Sequence, residues 1–487
     1  MNKLGRSEFI TTTAMALAGL TVVPKFSLGK DISSALSKAE PTFPVRGNET
    51  ISDFGIIDLH CHPSLKMYLW DKKIWKRYRP APGLNAFPLT YSVDELASGN
   101  VKGFLCAHYL VEKDFLVESP LLRILLPVLE LPFKGLSDRI EHKDYSNFTQ
   151  INVMIDTLET QIHLANKKQK RVEFVIARDF AEFDEALRQG KIPVAHAIEG
   201  AHALGTNFPA TDRRNQAHAR QKGRAKNDKE ESDWYVRNLE ALKARGVCLM
   251  TIGHIFTNDI AFPTEGISPD AKCLLGMSGY NPEQNLRLSE IGKIVVGKML
   301  DIGMIVDLTH SPRAARKEVF DLNKRRLREG KRTRPLTFTH TGAQYIFEKY
   351  EVCNKNAYDH YKYYDASDEE IDWICECNGT IGIIPENFWL IGCDPALNGK
   401  EYQNAIKYIV ETIQYINSRT RKKNYDNISI GTDFDGFADA PNDLYKPSHL
   451  PALIKALREN KISDENIKKI TSENALRLLR YGWGDPS

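Results

Sequence analysis

Two histidines stand one residue apart at the end of an apolar run, in IIDLHCHPSL from Ile56 to Leu65. On a strand, side chains two apart share a face, so His60 and His62 lie side by side while Cys61 points away. Neighbouring imidazoles suit a divalent metal ion, although a histidine pair alone is as well explained by a hydrogen-bonded core or a solvated strand end. The other polar residues that end apolar runs weigh against the bland explanation. Glu199 follows IPVAHAI directly, His254 ends MTIGH, His310 ends VDLTH, His340 ends LTFTH, and Asp433 follows ISIGT. Zinc and similar ions take imidazole and carboxylate ligands, and hydrolytic sites keep one position open for water. His60, His62, His310 and His340 with Glu199 and Asp433 are more ligands than one tetrahedral ion needs. Two ions sharing a carboxylate would use them all, and a water between two ions is both more acidic and well placed to attack a carbonyl. Asp433 and Asp435 share a face if their strand continues, in which case one is functional and the other fixes the turn. His196 and His202, flanking Glu199, read as supporting residues.

The elements that must position these groups are short β-branched runs: FGIIDLH, VKGFLCAHYL, VEFVIA, IPVAHAIEG, GVCLMTIGH, GMIVDLTH, PLTFTH, GTIGIIP and NISIGTDFDG. Helical patterns separate many of them, as in LSEIGKIVVGKMLDIG, where Ile291, Ile294, Val295 and Leu300 recur near helical spacing. Alternating strands and helices predict a parallel sheet, and strands apolar on both faces predict a closed (β/α)₈ barrel with long loop insertions, over residues 51–484. A doubly wound open sheet is the alternative. In a barrel the C-terminal strand ends converge on one face, and the candidate ligands all fall there. Two stretches interrupt the pattern. Residues 210–232, rich in charge, read as a solvated insertion loop whose basic half is a weaker candidate for an acidic partner. The tyrosine-rich insertion at about 350–370 is either a lid or pocket wall, or an exposed loop packed by its own aromatics. Cys375 and Cys377 fall on a helix, where residues two apart do not share a face, and read as structural.

With 66 basic against 63 acidic residues the formal charge is +3, which gives no general reason to expect nucleic-acid binding. A small substrate is the better expectation. At the N-terminus Lys3 and Arg6 precede an apolar segment from Ile10 to Val23. This is the layout of a secretory signal over residues 1–30, twin-arginine-like but with one arginine, followed by a linker at 31–50. The expectation is a periplasmic or extracellular protein with no stable membrane span in the mature chain, since the segment is too short to cross a bilayer comfortably.

HCHP, IEGAH, MTIGHIFTN, VDLTHSP, FTHTG and GTDFDG, in that order, resemble the signature set of the membrane dipeptidase (renal dipeptidase) family of the amidohydrolase superfamily. The resemblance runs from about Phe54 to Arg480 and implies a barrel holding two zinc ions bridged by Glu199. It assigns one ion also to His60, His62 and Asp433 and the other to His310 and His340. His254 matches the residue that contacts the substrate carbonyl, with Asn258 beside it, and Asp433 the proton acceptor and donor. The implied reaction is attack of the bridged water on the peptide carbonyl of a dipeptide. Two departures stand out. Animal members carry HxD where this chain has His60 and His62, and the arginine that should follow His340 by roughly ten residues to hold a substrate carboxylate is missing there; only Lys349 and Lys355 are at hand. N-acyl amino acids, lactones and phosphoesters are alternative substrates, the last because the ligand order also resembles that of metal-dependent deoxyribonucleases. A catalytically silent binding protein is the alternative from another class, and a homodimer is kept open.

Overall fold

The computed structural model describes residues 55–484 except 80–87, 131–132, 142–145, 206–227, 265–276, 278–285, 351–360, 393–403 and 437–440. The expected signal segment and linker, most of the charged insertion and the first part of the tyrosine-rich insertion lie outside the described residues.

Nine strands form, one for each apolar run: β1 Ile56–Cys61, β2 Val101–Tyr109, β3 Phe174–Ala177, β4 Ile192–Glu199, β5 Val247–Thr251, β6 Ile305–Asp307, β7 Thr337–Thr341, β8 Thr380–Ile383 and β9 Ile428–Ile430. Every pairing is parallel, and the order β1, β2, β4, β5, β6, β7, β8, β9 returns to β1. These eight strands close a (β/α)₈ barrel, as the alternation predicts. The ninth, β3, pairs only with the start of β4, Phe174 opposite Ile192 through Ala177 opposite Ala195, and the ring closes through β2 and β4 without it.

Helices cover the strands, some with one buried face and one, Pro63–Trp70, buried all round. In Glu290–Ile302 the Ser289 side chain accepts from Gly292 N at the start, and Ile291, Val295, Val296, Met299 and Leu300 are buried. Ile294 is 47% exposed, so it lies outside the buried stripe to which its spacing had assigned it. Gly303 ends this helix at φ 65, and a Cβ there would meet the backbone of Gly484 at 2.6 Å. The charged insertion also departs from expectation at its end: the helix Asp228–Ala244 starts inside it, and Tyr235, Leu239 and Leu242 lie buried at helical spacing. Charges early in that segment mask the short apolar stripe. Among the described residues no helix is long and apolar enough to cross a membrane.

Inside the strands, Ile57, Leu59, Leu105, Ala195, Ala197, Leu249 and Ile305 form an apolar cluster with Leu478, Leu479 and Trp483 at the C-terminal helix, Asn474–Gly482. This is the floor under the barrel mouth. Several strand pairs break step, and two of the breaks fall beside expected ligands. From Asp58 to Cys61, β1 advances three residues while β2 advances two, from Phe104 to Cys106; β7 does the same against β8 between Phe338 and Thr341. Such an extra residue re-aims the side chains that follow it. In β1 it lets Leu59 join the floor and His60 the mouth; in β7 it brings the consecutive Thr339 and His340 both against His60.

Candidate metal centre

Six barrel strands deliver the expected site residues, five of them the ligands and β5 His254. His60 lies in β1 and His62 just after it; Glu199 is the last residue of β4; His340 lies in β7; His254, His310 and Asp433 follow the ends of β5, β6 and β9. Glu199 is the centre of the group. Its Oε1 lies 3.2 Å from His60 Nε2, 3.3 Å from His310 Nε2 and 3.5 Å from His340 Nε2. Its Oε2 lies 3.2 Å from His62 Nε2 and 3.3 Å from His254 Nε2. Asp433 Oδ1 stands 3.0 Å from His62 Nε2 and 4.0 Å from His60 Nε2. Two triads with metal-ligand spacing share the glutamate: His60, His62 and Glu199, and Glu199, His310 and His340.

The arrangement of these donors fits a divalent ion. Nε2 atoms face each other at 2.9 Å in His60 and His62 and at 3.1 Å in His310 and His340, with carboxylate oxygens closing on the same space. Lone pairs converging in this way repel unless a cation lies among them, and imidazole with carboxylate is the donor chemistry of zinc-like ions. Burial opposes charge on Glu199, but His254, His62 and His60 override it and hold its pKa well below the usual carboxylate range. Burial likewise opposes a proton on His62 and His254, yet Glu199, joined by Asp433 for the first and Glu112 for the second, raises both to about 10. His310 and His340 are pushed down instead, by burial and by the neighbouring His254 and His60 respectively. Protons and a metal ion compete here for the same nitrogens.

The backbone contributes as well. His310 and Asp433 sit at φ 64 and 51, left-handed conformations that cost a side-chain-bearing residue about 1–2 kcal/mol. Asp433 N donates to His60 O at 2.8 Å and Gly436 N to Asp433 O at 3.0 Å, which pins the turn. Gly436 itself cannot carry a side chain, because a Cβ would stand 2.3 Å from Asp433 Oδ1 and 2.5 Å from the His62 ring. The strand therefore does not continue through Asp433 and Asp435 as a shared face; β9 stops at Ile430 and both aspartates turn left-handed. Asp435 accepts from Thr90 N at 2.8 Å, Tyr91 N at 3.0 Å and Lys66 Nζ at 2.9 Å, so it ties a neighbouring loop to the turn.

Other expected residues fall as follows. Asn258, expected at the substrate, accepts from Ile260 N and Ala261 N at 2.9 Å and donates to Ile252 O at 3.1 Å. Its side chain holds the loop after His254, and its carbonyl oxygen has both acceptor positions filled. Lys349 pairs with Glu411 at 2.8 Å with its side chain 48% exposed, and Lys355 lies outside the described residues. His196 bonds His108 at 2.9 Å and Glu159 at 3.2 Å, and His202 bonds Leu110 O at 2.9 Å; both support rather than join the triads. Of the tyrosine-rich insertion, Tyr364 forms a wall of the centre, its ring 5.1 Å from that of His310 and stacked on Trp389 at 3.9 Å.

Sequence reasoning missed Glu112. Its Oε2 accepts from His254 Nδ1 at 3.0 Å and Tyr109 OH at 2.9 Å, and its Oε1 from Phe256 N at 3.0 Å. Burial raises its pKa, but His254 and His202 more than offset this and bring it to about 2. The charged neighbours in LVEKD disguise it as a surface residue.

Residues 233–481 match the family model of membrane dipeptidase, peptidase family M19, a span that includes His254, His310, His340 and Asp433. Among curated relatives, dipeptidase aclJ of Aspergillus oryzae is 26% identical over 194 residues, 39% of this chain and 38% of that protein. Dipeptidase verJ of Clonostachys rogersoniana is 24% identical over 343 residues, 70% of this chain and 68% of the relative. The chain thus spans about two fifths of aclJ and two thirds of verJ. Two solved structures share the fold at 16% identity, covering 88% of this chain and 99% of theirs. They are the metallopeptidase dipeptidase AC, with a TM-score of 0.59, and a metallopeptidase from Rhodobacter sphaeroides liganded with a phosphinate mimic of the dipeptide L-Ala-D-Ala, at 0.58. A closed parallel barrel, two triads joined at Glu199 and a family match over half the chain lead to one assignment: this chain belongs to the membrane dipeptidase family, peptidase family M19.

Proposed function

We propose that the protein is a binuclear zinc-dependent hydrolase of amide bonds, acting on a dipeptide or a compact relative such as an N-acyl amino acid. The observation that carries this reading is Glu199, whose carboxylate contacts a pair of ligand histidines from each triad. Zinc at such a centre supplies an acidified water and polarises the substrate carbonyl. His60, His62 and Asp433 would hold one ion, His310 and His340 the other, and Glu199 both.

The chain's own groups supply the proton traffic. Asp433 has the more open carboxylate, its side chain 15% exposed against 4% for Glu199. It takes the proton released on attack and returns it to the leaving amine. His254 donates from Nδ1 to Glu112 and, with its pKa raised against burial to about 10 by Glu199 and Glu112, carries a second proton on Nε2 at the Glu199 side as a donor for the developing oxyanion. Lys349 is engaged with Glu411, so no clamp for a substrate carboxylate is supplied from that position. The signal layout of Lys3, Arg6 and the apolar run to Val23 supports export of the chain.

The deciding experiment measures zinc content and turnover together, on dipeptides, C-terminally amidated dipeptides and N-acyl amino acids. Two zinc equivalents with amide turnover are expected, and Glu199→Gln should lose both. Full zinc content and turnover in Glu199→Gln would remove it as the shared ligand.

A further inference from the structure

One hydroxyl touches a ligand in each half of the centre. Thr339 Oγ lies 2.9 Å from Nδ1 of His60, 3.0 Å from Nδ1 of His340 and 2.6 Å from Oδ2 of Asp307. Asp307 is fully buried, and its other neighbours are all donors: Thr251 Oγ at 2.6 Å, Thr309 Oγ at 2.7 Å, Thr309 N at 3.1 Å and Thr339 N at 3.0 Å. It also falls within ligand distance of His60 and His340, but with these donors around it Asp307 serves as an acceptor. Valence then fixes the protons. A hydroxyl has one hydrogen and two lone pairs, so Thr339 donates to Asp307 and offers its lone pairs to the two imidazoles. Each of those rings must carry its N–H on Nδ1, which leaves Nε2 as the lone pair facing Glu199.

We propose that Thr339, oriented by Asp307, is a positioning residue that sets the tautomer of one ligand in each triad and thereby couples the two metal positions. The proposal rests on the two-metal reading above. His62 and His310, the remaining imidazoles of the triads, have Nδ1 atoms without a hydrogen-bond partner, so this hydroxyl is where side-chain orientation of the ligands is concentrated. Partners of this kind are typically worth about 10- to 100-fold in metal affinity.

The test is zinc affinity at each step, measured by competition with a chromophoric chelator on the full chain and its Thr339→Val and Thr339→Ser variants. Thr339→Val keeps the shape and removes the hydroxyl. Both steps should weaken by about 10- to 100-fold, and Thr339→Ser should restore them; a role in packing alone would not be rescued by the smaller serine. Nitrogen NMR of zinc-loaded, histidine-labelled wild-type protein gives a reading independent of any variant's folding, and should find His60 and His340 protonated at Nδ1. If the wild type binds two zinc ions but Thr339→Val binds both as tightly, or loses affinity at one step only, the coupling is overturned while the two-metal reading stands. If either ring proves metal-bound through Nδ1, the tautomer assignment is overturned. If the wild type binds no zinc, the two-metal reading and this inference fall together.

Discussion

The barrel floor and the barrel mouth are built on the same strands, two residues apart. Ala197 lies below Glu199, Leu249 below Thr251 and Ile305 below Asp307, each pair sharing a face by strand alternation. The floor is apolar and sealed by Leu478, Leu479 and Trp483. The mouth gathers imidazoles and carboxylates under burial that disfavours charge, and holds His310 and Asp433 in left-handed backbone. One layer gains stability from burial, and the other gives some of it up to hold reactive groups in place.

That division should be visible in mutants. The largest effect expected is on turnover at the mouth: Asp433→Asn keeps an oxygen ligand but cannot carry the proton, and should lose about 10²- to 10⁴-fold in turnover while retaining most of its zinc. Near-full turnover with both ions present would break the assignment. Asp435→Asn sharpens the comparison, because this residue stands beside the mouth and behaves as part of the scaffold. It leaves the buried Lys66 amine, whose pKa burial already pulls down, without its carboxylate. Breaking a buried pair of this kind costs about 3–5 kcal/mol of stability, read by urea unfolding, with turnover per folded molecule kept; abolished turnover in a fully folded variant would place Asp435 in the chemistry instead. Leu249→Ala, at the floor and fully buried, should cost about 2–5 kcal/mol and leave zinc content unchanged. A variant that loses zinc but no stability would dissolve the distinction between the layers.

Much of this architecture was legible in the chain. All nine apolar runs became strands, because a strand covered on both faces must be apolar almost throughout. Which of them joins the ring was not legible: VEFVIA has the same character as the others, and only its pairing with the first half of β4 sets it aside. The candidate ligands that gather at the mouth could be found because they end apolar runs, a signal carried by position. Glu112 and Thr339 could not, since Glu112 sits among ordinary charges and Thr339 has the character of any β-former in a threonine-rich strand. Their meaning comes from partners on other strands: Glu112 from His254, Thr339 from His60 and Asp307. Asn258 shows the converse, where a polar residue close in sequence to a site histidine spends the hydrogen bonds of its side chain on its own loop.

The breaks in step beside the ligands, in β1 and β7, make the centre a matter of arithmetic as well as of residue identity. Removing Leu59 by a single-residue deletion would keep every histidine and carboxylate in the chain, yet it would take away the extra residue by which β1 regains at Cys61 the register with β2 that it had at Ile56, and would rotate His60 relative to the floor beneath it. The same ligand inventory would then be dealt to different faces. Along these strands an insertion or deletion of one residue is therefore a larger chemical event than many substitutions, because the spacing between floor and mouth decides which side chains enter the centre.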